Sequence, residues 1–333
     1  MIRLQTPLPE RYTVASPDAL AALIGEAKAT LADRLMILGH HYQREDVMRW
    51  ADCRGDSFGL SRQAADNATA EFIVFCGVHF MAESADILTG PDQKVILPDL
   101  NAGCSMADMA DVDTVEEAWE VIASVSDIER VVPITYMNSS AALKAFVGEH
   151  GGAVCTSSNA RTVLEWALGR GDKVLFFPDQ HLGRNTAFDL GYDAPHMRVW
   201  DPREDLGGLT EPDVKEATFL LWKGHCTVHQ RFRPEHVAAF RAEHPDGEVL
   251  VHPECSAWPS STPTRRSCRS TRWCAPARRC RVSIPSTWPG CSRVLSRARC
   301  ATGSRSTTPR PSGRGSRWSG CWPSPERIVG AAP

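Results

Sequence analysis

The residues best equipped for chemistry lie just past apolar runs. Gly39-His40-His41-Tyr42-Gln43 follows one such run, and Gly55-Asp56-Ser57 comes soon after it. Two histidines and a tyrosine at a strand end can donate or accept protons near neutrality. Taken singly, the same residues also read as a satisfied histidine pair on a loop. Tyr136-Met137-Asn138-Ser139-Ser140 and Cys155-Thr156-Ser157-Ser158-Asn159-Ala160 each set small polar side chains and backbone amides between a strand and a helix start. That arrangement suits a carboxylate or a phosphate, and it serves equally as plain helix capping. His252-Pro253-Glu254-Cys255 places a histidine two residues from a glutamate, half of an acid/base pair or of a metal site, at a spacing that fits no standard zinc motif. Cys104, in Asn101-Ala102-Gly103-Cys104-Ser105-Met106, and Cys226, in Trp222-Lys223-Gly224-His225-Cys226-Thr227-Val228-His229, lack C-x-x-C spacing. The cysteines alone therefore leave buried thiols and metal ligands both open.

The elements that must position these groups alternate. Apolar, β-branched runs at 35–42, 71–80, 94–99, 131–138, 153–158, 173–181, 218–226 and 248–255 predict strands, and each closes on a polar residue or cysteine. Amphipathic stretches at 18–34, 61–70, 114–125, 140–150, 159–170 and 233–244 predict helices, several opening on Ser, Asn or Asp. Strands alternating with helices predict an α/β fold with a mostly parallel sheet. Ligands in such folds sit in the crevice at the carboxyl ends of the strands, so eight polar strand ends predict one shared central site. No sequence repeat is evident, although the recurring strand, polar end and helix would suit several similar modules.

Composition divides the chain. Residues 1–256 carry 22 Lys and Arg against 39 Asp and Glu, a net charge of −17, while residues 257–333 carry 15 Arg against the single acid Glu326, a net of +14. The near-neutral total of −3 conceals two unlike segments. No run approaches the roughly 18 apolar residues of a membrane span, and the start lacks a signal-peptide core, so a cytoplasmic protein with no membrane contact is expected. Six cysteines lie in the first segment (Cys53, Cys76, Cys104, Cys155, Cys226, Cys255), and in a reducing cytosol these are thiols or metal ligands rather than disulfides.

Taken in order, the segments H-x-Y-Q, G-D-S, Asn-Ala-Gly-Cys-Ser-Met, Y-x-N-S-S-A, C-T-S-x-N-A, F-P-D-Q-x-L-G, W-x-G-x-C-x-V-H and H-P-E-C make the chain resemble the quinolinate synthase family over roughly residues 30 to 256. The set is specific although no member is. The resemblance implies three similar three-layer α/β modules about a pseudo-threefold axis, with the site at their junction. The corresponding organisation is an N-terminal segment and first helix at 1–30, α/β modules over 31–256 with the third incomplete, and a tail at 257–333. The resemblance further implies a [4Fe–4S] cluster held by three cysteines, of which Cys104 and Cys226 match the first two. The family's third ligand lies in a C-x-x-M segment, and this chain has none. The implied reaction condenses iminosuccinate, supplied by L-aspartate oxidase, with dihydroxyacetone phosphate to give quinolinate for NAD biosynthesis. By motif match His40, Ser57, Tyr136, Asn138, Ser157, His252 and Glu254 line the substrate pocket. Glu254 and Tyr136 are expected to transfer protons, Tyr42 to assist, and His40 and His252 to bind or relay.

From Ala257 onward the chain contains no Lys, Asp, Asn, Gln, His, Phe, Tyr or Met, and no periodicity survives. The segments that the family carries past His-Pro-Glu-Cys are missing. Read in a displaced frame, codons for Gly313 to Trp322 permit Arg-Val-Ala-Leu-Glu-Arg-Met-Leu, which is the family's expected last helix. A shifted reading frame is therefore expected beyond residue 256, with a disordered tail and impaired activity. The competing reading is a non-catalytic α/β protein that binds a small dicarboxylate and carries a basic arm for nucleic acid. The six cysteines and the tryptophans of the tail weigh against it, because solvated tails are poor in both, and no nucleic-acid partner is expected.

Overall fold

The computed structural model describes residues 5–245, 249 and 251–256. Nine strands run through them: β1 Leu35–His40, β2 Cys53–Gly55, β3 Phe72–Cys76, β4 Lys94–Ile96, β5 Val131–Tyr136, β6 Ala153–Cys155, β7 Lys173–Phe177, β8 Met197–Trp200 and β9 Phe219–Trp222. The helices are α1 Glu10–Thr13, α2 Pro17–Leu31, α3 Glu45–Met48, α4 Ser57–Asp66, α5 His79–Leu88, α6 Val112–Val125, α7 Ala141–Glu149, α8 Ala160–Leu168, α9 Gln180–Leu190, α10 Glu211–Glu216 and α11 Pro234–Glu243. Every strand pairing is parallel, as the alternation of elements predicts.

The strands form two sheets, ordered β2-β1-β3-β4 and β6-β5-β7-β9-β8. The second repeats the order of the first and adds β8 outside β9. The registers repeat as well. Leu35 pairs with Phe72 as Val131 pairs with Lys173, and His40 pairs with Gly55 as Tyr136 pairs with Cys155. The two sheets thus share one strand order and one register among the described residues, although their sequences show no repeat.

Burial follows from how each sheet is covered. β5 and β7 are buried at every position, the signature of a strand covered on both faces. Leu164, Ala167, Leu182 and Ala187 of α8 and α9 join one apolar cluster, and Val115, Ile122, Leu143, Phe146 and Val214 of α6, α7 and α10 join the other. This gives the second module its three layers. β3 alternates instead, with Ile73 and Phe75 buried beneath Leu60 and Ala64 of α4 and Phe80, Met81 and Ala85 of α5.

Local chemistry explains the helix starts. Ser16, Asp56, Asp111 and Ser140 each accept a backbone N–H from the first turn of the helix they precede. Two helices replace what the sequence suggested were strand ends. The run 71–80 stops as a strand at Cys76 and resumes as α5 at His79, because Phe80 and Met81 pack as a helical face. The run 173–181 gives way to α9, whose cap Asp179 accepts the amides of His181 (2.6 Å) and Leu182 (3.0 Å). β2 and β8 carry no apolar pattern long enough to predict them; pairing to a neighbouring strand makes them extended. The predicted strand at 248–255 is not a strand at its described positions. The tail 257–333 lies outside the described residues. No helix among the described residues is long and apolar enough to cross a membrane.

Candidate functional site

Cys104 follows β4, and Cys226 follows β9, the strand in the equivalent place of the second sheet. Each cysteine opens the same turn. The Asp108 amide donates to the Cys104 carbonyl (3.0 Å), as the Gln230 amide does to that of Cys226 (3.1 Å). The Met109 amide bonds Met106 O and the Arg231 amide bonds Val228 O, both at 3.1 Å. Each turn continues as one 3-10 turn, Ala107–Met109 and His229–Arg231. Amides of Met106 and Ala107 are directed at the Cys104 sulfur, and amides of Val228 and His229 at that of Cys226. The two loops match residue for residue, with Ala107 standing where the second has His229.

The loops also meet. Ser105 and Thr227, each one residue past its cysteine, pair through their hydroxyls at 3.4 Å. The indole N–H of Trp222 donates to Met109 O (2.7 Å), and the His225 amide reaches Met109 Sδ (3.3 Å). Gly224 is required beside them, because a Cβ there would lie 2.1 Å from the carbonyl oxygen of Pro178. Both thiols are half-buried, and burial raises each pKa first. Two thiols with paired amides aimed at sulfur are suitable donors for an iron–sulfur cluster, whose negative sulfurs accept such hydrogen bonds. The residues present fit two of the three expected corners. Among the described residues no third cysteine sits in a matching turn.

The remaining predicted residues occupy corresponding places. His40 ends β1 as Tyr136 ends β5, Tyr42 and Asn138 each lie two residues further on, and Ser57 and Ser157 each lie two residues past the end of the second strand. His252 and Glu254 keep the same spacing of two, and the Cys255 amide bonds His252 O (3.0 Å) as the Gln43 amide bonds His40 O (2.9 Å).

Glu254 is the meeting point. Only 4% exposed, it has Tyr136 and Cys226 as neighbours, and burial lifts its carboxyl above the usual range while those two oppose the rise. Tyr136 is buried, its pKa pushed well up by burial and then by Glu254, with Ser157 opposing the rise. Burial, aided by His41, lowers His40 to about 4, and burial, aided by His229, lowers His252 to about 4. Both are therefore neutral imidazoles near pH 7. Tyr42 is 83% exposed and sets its ring edge-on to those of His40 (4.7 Å) and His41 (5.1 Å). Half-buried Ser57 opens α4, whose N-terminal amide at Gly59 is already capped by Asp56 (2.8 Å).

One expected anion site is filled from within. The first amide of α7, Ala141 N–H, donates to Glu83 Oε2 (2.8 Å), and Ser140 caps the next turn, so this end of Tyr136-Met137-Asn138-Ser139-Ser140 acts as capping. At the second segment Asn159 Oδ1 accepts the Thr156 amide (2.6 Å) and the Ser157 side chain faces Tyr136. Sequence reasoning included His229 in the W-x-G-x-C-x-V-H motif but gave it no role, because its spacing to Cys226 does not show that it reaches Glu254 (3.5 Å). It also missed the α9 residues that hold Glu254 in place. Asn185 Nδ2 donates to the carbonyls of Pro253 (2.7 Å) and Cys255 (3.1 Å), and Arg184 Nη2 to that of Ser256 (2.6 Å). Asn185→Ala leaves two carbonyls short of a donor and is expected to cost about 1–3 kcal/mol, read as a lower urea midpoint at unchanged slope.

Asp179 adds a pH dependence. Fully buried, with Oδ2 lacking a partner, it has its pKa pushed up to about 7 by burial, with Glu254 adding to the rise. A raised folded pKa contributes stability that is complete below the unfolded value of about 4 and is lost as pH rises through about 7. Asp179→Asn keeps the cap and removes the titration. Urea midpoints of parent and variant measured across that window are expected to diverge in the variant's favour, and parallel curves would show that Asp179 does not titrate there.

The family model described as NadA, quinolinate synthetase A protein, matches residues 23–272. The chain is 59% identical over 250 residues to a quinolinate synthase of Corynebacterium glutamicum, a match covering 75% of this chain and 64% of that one. It is 58% identical over 250 residues to one from Herpetosiphon aurantiacus (74% and 66%), and 57% identical over 249 residues to one from a Nocardioides species (73% and 63%). The chain thus spans a little under two thirds of the length of these relatives. A match over that much of its own length places the chain in the quinolinate synthetase A protein family.

Proposed function

We propose that residues 31–256 form the first two modules and part of the third of a quinolinate synthase, which condenses iminosuccinate with dihydroxyacetone phosphate to give quinolinate, phosphate and water. The observation that supports this most is the pair of matching cysteine turns closing on Glu254 and Tyr136. Cys104 and Cys226 would hold two corners of a [4Fe–4S] cluster, and the third cysteine would come from a segment absent here. Bound by three thiolates, such a cluster supplies an open iron that acts as a Lewis acid.

The chain's own residues account for the proton handling. Ser157, Tyr136 and Glu254 adjoin in that order, and a buried carboxyl with a raised pKa is suited to both accepting and returning a proton. His40 and His252, neutral at pH 7, can donate or accept a hydrogen bond to a substrate carboxylate or carbonyl without adding charge. Asn138 and Ser57 offer polar groups past the ends of β5 and β2, and Tyr42 stands at the exposed rim. Iminosuccinate is unstable, so L-aspartate oxidase is the implied supplier. The reaction calls for a cytoplasmic enzyme.

The tail from residue 257 is read here as the product of a shifted frame. Resequencing the gene around codon 256 tests this: a corrected read with a Gly-Ser-Thr segment and C-x-x-M in frame supports it, and a confirmed read means that the chain as given cannot complete the cluster. The activity reading is tested on the frame-restored chain purified without oxygen. Brown protein containing iron and sulfide, forming quinolinate from the two substrates, is expected; colourless, iron-free and inactive protein would overturn it.

A further inference from the structure

We propose that two buried histidines with no part in the proton handling above, His79 and His181, are positioning residues that hold the two cysteine turns in place. His79 opens α5 and His181 is the second residue of α9, the helices that follow β3 and β7. They are 6% and 7% exposed. His79 Nε2 lies 3.1 Å from Asp108 Oδ1, and His181 Nε2 lies 3.0 Å from Gln230 Nε2. Asp108 and Gln230 stand four residues past Cys104 and Cys226, and their amides close the turns on the cysteine carbonyls. Each imidazole therefore grips the side chain at the same place in its turn.

The same helix starts hold the other side of each cysteine. The His79 amide donates to Ala102 O (3.0 Å) and the Gln180 amide to Gly224 O (3.1 Å), in each case the carbonyl two residues before the cysteine. By that match the second histidine stands one residue later in its helix than the first, so one contact is reached from two backbone positions. The ring tautomers differ as well. A carboxylate only accepts, so His79 donates to Asp108 from Nε2; the Gln230 amide group donates, so His181 accepts at Nε2 as a neutral ring. In both rings Nδ1 is buried without a hydrogen-bond partner, Glu83 Oε1 standing 3.7 Å from that of His79 and outside bonding distance. A buried imidazole with one nitrogen unpaired is costly, and an apolar side chain would fill the space without that cost. The bond at Nε2 is thus what each ring supplies. Groups that fix the segment carrying a metal ligand govern how firmly the metal is held, and the inference rests on the cluster reading only for what the turns carry.

Hydrogen exchange of the full chain, read by mass spectrometry over 102–109, 224–231 and, as a control, 131–136, reports on the turns without any cluster. His79→Leu and Asp108→Ala are each expected to speed exchange over 102–109 by roughly 3- to 10-fold, the effect of one lost hydrogen bond, and the double variant by no more than either alone. His181→Leu and Gln230→Ala should do the same over 224–231. His79→Gln and His181→Gln, whose amides still offer a hydrogen-bonding group, should restore most of the parental protection. Asp108 and Gln230 are exposed, so their replacements keep the test decisive where a histidine variant misfolds. Parental exchange over the turns in Asp108→Ala and Gln230→Ala, or acceleration that reaches 131–136 equally, would overturn the assignment. In the frame-restored enzyme the two leucine variants should release iron to a chelator faster by a similar factor, and release at the parental rate would also overturn it. An iron-free frame-restored enzyme would end the cluster reading instead and leave the exchange results standing.

Discussion

Glu254→Gln in the frame-restored enzyme is expected to lower kcat by roughly 100- to 10,000-fold, the range that a positioned acid/base group contributes. The replacement keeps the size and hydrogen-bonding capacity of the side chain while removing its ability to take a proton. Tyr136→Phe should fall in the same range, because the phenol neighbours that carboxyl and Ser157 stands beside it. Groups that work as one unit are strongly non-additive, so the double variant should be little worse than the more damaged single one. Steady-state turnover of quinolinate, with KM measured for both substrates, is the check. A Gln variant that keeps most of the parent's kcat would remove Glu254 from the relay.

A comparably large effect is expected at the thiols. Cys104→Ser and Cys226→Ser in the same enzyme should each strip iron and sulfide and reduce quinolinate formation to background. Serine preserves the turn and its amides but offers a hard oxygen in place of a soft sulfur. Iron and acid-labile sulfide analysis beside the activity assay distinguishes a lost cluster from a misfolded chain, which circular dichroism would reveal. Full turnover with both cysteines changed would end the cluster reading.

How much of this could be read from the sequence depends on what each residue had to signal. The cores of β1, β3, β5, β7 and β9 were legible because apolar runs bounded by polar residues have few other uses. β2 was not, since Cys53-Arg54-Gly55 becomes a strand only by pairing with Leu38, Gly39 and His40. α5 was hidden because its buried Phe80 and Met81 prolong the apolar run of β3. The convergence of Cys104 and Cys226 depends on β4 and β9 occupying equivalent places in their sheets, a property of strand order that spacing along the chain does not encode. The same holds for Asn185, whose partners Pro253 and Cys255 lie some seventy residues away. Ordered motifs could show that Glu254 and Tyr136 belong to one family pattern, but not that they touch.

The indole of Trp222, anchored on the carbonyl of Met109, fastens the end of one sheet to the loop leaving the other. Any rotation that parted the two thiols would have to strip that carbonyl of its donor in a largely dry setting, at a cost of about 1–3 kcal/mol. The pair of sulfurs therefore behaves as a fixed jaw rather than a closing one.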